Sequence, residues 1–320
     1  MTIIDKVLSR EEFAENPPVL LDIGASGEIH PKWRRIAPYS LCIAFDADQR
    51  EMGYTVRESS GYRKLYVYNS IVTAEQGSEA DFYLTRSPFC SSLLPPDLQS
   101  LKNWAFGGLF EVERTVRLKS ATLSQVLNEI GIGKVDWFKT DSQGTDLRLF
   151  VSLGEERIRR VLAAEFEPGI IDAYRGEDKL WSLMAYMEKR PFWMASLAVR
   201  GSQRISLETM AKKCTPLQRK FMHVLLKKSP GWGEVAYLNT FEEDAANLDK
   251  RDFLLGWVFA AIEGEYGFAM ELAARGHRRF NDPLFPELEE YAMRKLRIGY
   301  LKLPVHVVKK FVRKYFGGNG

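Results

Sequence analysis

Between residues 19 and 199 the chain repeats one pattern, a short apolar run followed by a stretch with apolar residues three and four apart. The runs are VLLDI (19–23), SLCIAF (40–45), KLYVYNSIV (64–72), VDWFKT (135–140), RVLAAEF (160–166) and PFWMASLAV (191–199). Their lengths and their Val, Ile, Leu, Phe and Tyr content predict buried strands. Residues 122–130 put Leu123, Val126, Leu127 and Ile130 on one helical face behind Thr122, a good N-cap residue. Residues 177–188 do the same with Leu180, Leu183, Met184 and Met187. Strands alternating with helices predict an α/β fold, a mostly parallel sheet covered on both faces.

Residues 80–118 interrupt the alternation. ADFYLT and RTVRLK read as an inserted pair of strands, joined through the Ser/Pro-rich SPFCSSLLPPD. A long loop on such a scaffold is a candidate lid or acceptor loop. After residue 202 the character changes. Thr215-Pro216 and Asp249 are helix starts, the second followed by apolar Phe253, Leu254, Trp257, Val258 and Ala261. Further helical stretches fall near 234–247, 265–275 and 285–297, with no strand-like alternation. The expected organisation is an α/β domain over 1–201 and a helical extension over 202–320. Tyr62, Tyr66 and Tyr68 alternate and read as sheet packing. Trp181, Trp193, Trp232 and Trp257 read as core or interdomain anchors.

Composition narrows the class. With 45% hydrophobic and 27% charged residues, 320 residues can bury a sizeable core. That excludes a disordered chain, a collagen-like repeat and a small disulfide scaffold. No apolar run reaches the roughly 18 residues of a spanning helix. The opening MTIIDKVLSREEFAENPP, with Asp5, Glu11 and Glu12, does not read as a signal peptide. Cys42, Cys90 and Cys214 are odd in number and far apart, which points to a reducing cytoplasm and to neither disulfides nor a thiolate zinc site. His30, His223, His277 and His306 form no ligand pair, so no metal site is expected.

The net charge of +3 conceals an asymmetry. Residues 291–320 hold eight Lys and Arg and no acid, which leaves −5 for the rest. Nucleic-acid binders spread basic residues over the working face, so no nucleic-acid partner is expected. Instead residues 304–316 read as an amphipathic helix, with Val305, Val308, Val312 and Tyr315 against Lys309, Lys310, Arg313 and Lys314. It predicts peripheral contact with an anionic membrane, such as the inner membrane surface. A terminal helix that packs on the body is the alternative.

The chemistry gathers at strand ends. VLLDIGASGEIH carries Asp22 and then Gly24 and Gly27, and the next strand ends in Asp46, 24 residues after Asp22. An acid there can take both ribose hydroxyls of an adenosine. The spacing GASG is not the GxGxxG of a pyrophosphate site, and a carboxylate beside the turn suits a cationic ligand such as S-adenosylmethionine. VDWFKTDSQGTDL delivers Lys139 and Asp141 to a strand end, and AAEFEPG offers Glu165 and Glu167.

Taken together these segments resemble the FkbM family of S-adenosylmethionine-dependent methyltransferases over residues 15–200. Asp22-Ile23-Gly24-Ala25-Ser26-Gly27 matches the family's opening turn. Ala44-Phe45-Asp46-Ala47 matches its AFEP-like strand end, with Asp for Glu. Val135-Asp136, Lys139, Asp141, Gly144 and Asp146 match VDxxKxDxxGxE, again with Asp for the last Glu. Ser91-Ser92-Leu93 and the Asn69 turn also look like the family. The resemblance implies a Rossmann-like, seven-stranded class I methyltransferase fold. It implies methyl transfer to a hydroxyl, often of a sugar or a polyketide-like product. By matching position, Asp22, Gly24, Ser26 and Gly27 border the methionine part of the cofactor, Asp46 holds the ribose, Asn69 lies near the adenine, and Asp141 faces the methyl group.

The reaction asks for an aligned acceptor, whose alignment supplies roughly 7–11 kcal/mol in the best cases. It also asks for a base, typically worth about 10²–10⁴-fold. Asp141 is the first candidate base, and Glu165 and His30 are the next. Lys139 orients the acceptor or pairs with Asp141, which would lower the Asp141 pKa and weaken it as a base. Two other readings stay open, a nicotinamide-dependent oxidoreductase and a non-catalytic module that keeps the fold and organises a glycan-assembly complex.

Overall fold

A computed structural model describes residues 1–25, 30–47, 61–242 and 248–301. The expected turn residues Ser26 and Gly27 and the basic helix over 304–316 lie outside the described residues. Ten strands follow in chain order. They are β1 (Val19–Ile23), β2 (Leu41–Phe45), β3 (Lys64–Tyr68), β4 (Ile71–Thr73), β5 (Glu79–Thr85), β6 (Val112–Thr122), β7 (Trp137–Thr140), β8 (Ala163–Phe166), β9 (Phe192–Ser202) and β10 (Ser229–Asn239). Seven of them form one sheet in the order β3-β2-β1-β7-β8-β10-β9. The pairs from β3 to β8 are parallel, and β10 runs antiparallel to both of its neighbours. The protein is therefore α/β with a mostly parallel, Rossmann-like sheet.

The parallel strands are buried because both faces are covered. β1 is buried at every position. On one face Phe138, Phe150 and Phe166 pack edge to face, with Phe150 5.1 Å from Phe138 and 5.2 Å from Phe166. The helix Leu123–Glu129 covers this core with Leu123, Val126 and Leu127. It starts at a capping box in which Thr122 and Gln125 satisfy each other's backbone N–H groups. Asp136, fully buried, accepts the Val19 amide at 2.8 Å and so fixes the start of β1 against β7. Tyr66 and Tyr68 pack against the same core, with Tyr68 stacked on Phe45.

The insertion at 80–118 forms its own small sheet. β5 and β6 pair antiparallel, as expected, and β4 joins β6 on the other side. The run 64–72 is split at Asn69, so its second half leaves the main sheet for this one.

The reading of 202–320 as wholly helical is corrected by β10. Its residues 235–239 are all buried, because the strand is inserted between β8 and β9. A strand covered on both faces shows no alternation, and Pro230, Gly231 and Gly233 disguise its start as a loop. Gly201 and Gly231 are needed there: a side chain on Gly201 would overlap the Ser229 carbonyl. The chain accordingly divides later than residue 201, into one unit of Ser9–Ala246 and another of Met1–Leu8 with Asn247–Gly320.

The described residues of the second unit are helical. Lys250–Glu263 begins at a capping box of Asp249 and Asp252 and ends at Gly264 in the left-handed conformation. Phe253, Leu254, Trp257, Val258 and Ala261 are buried, as their spacing predicts. Tyr266–Phe280 and Leu284–Leu301 follow, close enough that a side chain on Gly276 would strike the Phe285 ring. Among the described residues no helix is long and apolar enough to cross a membrane.

Candidate active site

The chain leaves β1 toward β2 and β3 on one side, while β7 leads toward β8 on the other. In open α/β sheets this switch of direction opens a crevice beyond the carboxyl ends of the strands. The strand ends are level there, with Ile23 opposite both Phe45 and Thr140. Gly24 and Asp141 follow directly. The Asp141 amide donates to the Ile23 carbonyl at 2.9 Å, and the Gly24 amide donates to that of Phe45. Gly24 has φ +79°, and a Cβ on it would lie 2.2 Å from the Asp141 carbonyl oxygen. Only glycine lets β1 turn against β7 at this point.

Three cavities meet at Asp141. The first is lined by Gly24, Phe45, Asp46 and Ala47, with Ile71, Val72 and Phe82 from the inserted sheet. Of the expected cofactor residues, Gly24 and Asp46 line it. Asn69 is exposed and does not, and its neighbours Ser70 and Ile71 stand there instead. Asp22 does not line it either. Its carboxylate is 2% exposed and accepts from Lys139 Nζ at 2.7 Å.

That pairing corrects a second expectation. Lys139 binds Asp22, its neighbour across the β1–β7 ladder, and not Asp141. Burial works to lower the Lys139 pKa, but Asp22 and Asp141 outweigh it and the ammonium is held above the ordinary lysine value. Asp141 is shifted up, not down. Burial is the leading cause, and the more distant attraction of Lys139 does not offset it.

The partner of Asp141 is Glu167, from the end of β8. The two acids line the same cavities, and the Asp141 charge opposes ionisation of Glu167. Burial, and then the Asp141 charge, push Glu167 up to about 9. The Glu167 amide donates to Asp146 Oδ2 at 3.0 Å, and Oδ1 of Asp146 accepts from Thr140 Oγ1 and the Ser142 amide. Asp146 thus shapes the turn that carries Asp141. Gln143 sits in that turn at φ +56°. Its Nε2 donates to Asp141 Oδ1, and its Oε1 accepts from the Tyr174 hydroxyl at 2.9 Å. A left-handed glutamine is uncommon and stores strain of about 1 kcal/mol, held here by its bonds on both sides.

The second cavity has Asp141, Gln143 and Glu167 on one side and Phe89, Phe106, Phe110, Tyr174 and Trp232 among its aromatic walls. Phe106 and Trp232 are stacked, 6.1 Å apart at 19°. Trp232 is therefore a cavity wall and not an anchor, and Trp181 is exposed at 59%. The Ser/Pro-rich loop borders both cavities, with Phe89 shared and Cys90 in the second. Ser92 ties it to the Asp141 turn, donating to the Gln143 carbonyl at 2.7 Å.

The third cavity is polar, with His30, Lys32, Lys139, Glu165 and Glu234 around Asp141. Glu165 is occupied. Oε2 accepts from Lys32 Nζ at 2.8 Å and Oε1 from Trp137 Nε1 at 2.9 Å. Burial lowers the His30 pKa, against the pull of Glu165. Both lie across the polar cavity, away from the aromatic one.

The sequence offered Glu165 and Glu167 together, and of the two it is Glu167 that lines the aromatic cavity. Gln143, Tyr174 and Trp232 carried no motif of their own. Among the described residues no group of His, Cys, Asp and Glu is placed to hold a metal ion. The chain matches no protein-family model, no curated protein and no solved structure.

Proposed function

We propose that the protein is an S-adenosylmethionine-dependent O-methyltransferase acting on a hydroxyl of a sugar, a glycan or a related metabolite. The observation that carries the proposal is the position of Asp141, between a cleft at the ends of β1 and β2 and a separate aromatic-walled cavity. A group-transfer enzyme needs two binding sites that meet at one reactive point. The seven-stranded sheet and the sequence resemblance support the class I methyltransferase form of this reading.

The cleft suits an adenosine and a sulfonium. Asp46 supplies a carboxylate for ribose hydroxyls, and Ile71, Val72 and Phe82 give an apolar wall. S-adenosylmethionine supplies an electrophilic methyl group when bound. The chain's own work is to align and deprotonate the acceptor. Phe106, Phe110 and Trp232 offer flat apolar faces against which a ring can lie. The Asp141–Glu167 pair, holding one proton and one negative charge, takes the proton that the acceptor hydroxyl loses. Gln143 keeps Asp141 oriented, and Tyr174 keeps Gln143 in place.

Titration calorimetry with S-adenosylhomocysteine and with NAD tests the cofactor. The expected result is binding of S-adenosylhomocysteine alone, weakened by Asp46→Ala about tenfold or more, since hydrogen bonds to a charged group contribute about 1.5–3 kcal/mol. Preference for NAD, or an unchanged affinity in Asp46→Ala, overturns the assignment.

A further inference from the structure

We propose that residues 207–228, in the sheet-bearing unit, form a surface that binds an anionic lipid bilayer. This surface is separate from residues 304–316 and independent of the methyl-transfer reading. After β9 the chain makes three short helices, Leu207–Lys213, Pro216–Lys220 and Met222–Leu225, before β10 returns it to the sheet. Met210 and Met222 are buried and hold the segment to the body. Its other large apolar side chains face outward. Leu217 is 67% exposed and Val224 71%, and Leu207, Phe221, Leu225 and Leu226 are exposed as well.

Isolated exposed apolar residues need no explanation, but a run of six within twenty positions does. Cations accompany them. Lys212, Lys213, Arg219, Lys220, Lys227 and Lys228 are all exposed, and no acid occurs between Glu208 and Glu234. Glu208 is the one acid of the segment, and it pairs with Lys212.

Charge complementarity selects the occupant. A second copy on this face would set six cations against six. A bilayer with anionic headgroups answers both features at once, because it offers a continuous negative surface above an apolar layer. Interfacial helices of this composition sink their apolar side chains about 5–10 Å into the headgroup boundary. The surface is also placed to matter. Leu207 packs against Gly108, in the turn Gly107–Phe110 whose Leu109 and Phe110 line the aromatic cavity. Bilayer contact at 207–228 therefore brings that cavity close to the membrane plane.

The test is co-sedimentation of the full chain with vesicles of phosphatidylglycerol and phosphatidylcholine in equal parts, and with pure phosphatidylcholine. Two variants are compared, Leu217→Ser with Val224→Ser, and Arg219→Gln with Lys220→Gln, Lys227→Gln and Lys228→Gln. All these positions are exposed, so the thermal unfolding midpoint should stay near wild type and confirm folding. The expected result is salt-sensitive binding to the anionic vesicles only, weakened about tenfold or more by either variant. No vesicle binding by the wild type overturns the proposal and leaves an acidic protein as the partner. Binding that both variants retain also overturns it, and assigns the contact elsewhere in the chain.

Discussion

Asp22 and Asp141 lie at the same edge of the sheet, on adjacent strands, and their surroundings are opposite. Asp22 faces a cation across the ladder, 2.7 Å from Lys139 Nζ. Asp141 faces another acid, Glu167, whose ionisation its charge opposes. Both aspartates come from strand-end motifs, but Asp22 is buried and Asp141 opens onto the cavities. The first pair sets opposite charges against each other. The second retains a proton above the ordinary carboxylate range, beside a cavity large enough for a second substrate. Residue type is the same in both places, and the partner decides whether the group supports the fold or is available for chemistry.

The largest effect expected from this contrast falls on the first pair. Asp22→Ala leaves the Lys139 ammonium in its site without its ion-pair partner. Breaking a buried pair from one side costs about 3–5 kcal/mol. Asp22→Ala with Lys139→Met removes both charges and should recover more than half of that loss. Urea unfolding at neutral pH measures both. A loss below about 1 kcal/mol in the single variant would show that the pair contributes little, and the contrast with Asp141 would fail.

The second pair should appear in the pH dependence of stability. Burial, and then the Asp141 charge, push Glu167 up to about 9 in the folded chain from an ordinary 4.5. Between those values the native chain keeps a proton that the unfolded chain has released, so stability falls as pH rises through this window. Its contribution is fully present below about 4.5 and gone above about 9. Asp146, pushed up to about 6 by burial, adds to the fall at the acidic end only. Between about pH 6 and 8 the Asp141–Glu167 pair leads the decline, with Glu177, also raised by burial, adding to it. Glu167→Gln replaces the proton-holding acid with a neutral donor and should flatten that part of the curve. A slope unchanged from wild type would mean that Glu167 does not keep the proton.

The same contrast explains how far the sequence could be read. The parallel strands β1, β2, β7 and β8 were legible because an unbroken apolar run closed by Gly or a charged residue is a local signal. So were Thr122 as a cap and the β5–β6 pair. β10 was hidden because it lies between two strands, where burial on both faces erases alternation, and because Pro230 and Gly231 open it. At the site, Gly24, Asp46 and Asp141 were legible from their position after strands. Whether an acid there is neutralised was not, because the deciding partners come from distant segments. Lys32 and Trp137 take Glu165, and Lys139 takes Asp22. Gln143 gave no sign, since its left-handed backbone is imposed by Asp141 and Tyr174 together.

Glu165 offers the smallest effect and the sharpest control, because it stands two residues before Glu167 and borders the same polar cavity. Its oxygens are taken by Lys32 and by the Trp137 indole, so it has a cation where Glu167 has an acid. The Lys32 pair is partly open to solvent, with the lysine side chain 32% exposed. Pairs of that kind contribute about 1 kcal/mol or less. Glu165→Gln keeps an acceptor for the Trp137 N–H and loses only the charge opposite Lys32. The expected outcome is a stability within about 1 kcal/mol of wild type, and a pH dependence above about 6 that keeps its full slope. Urea unfolding over the same pH range, run beside Glu167→Gln, reads both. If Glu165→Gln flattens the slope and Glu167→Gln does not, the proton belongs to Glu165 and the two glutamates exchange roles at the site.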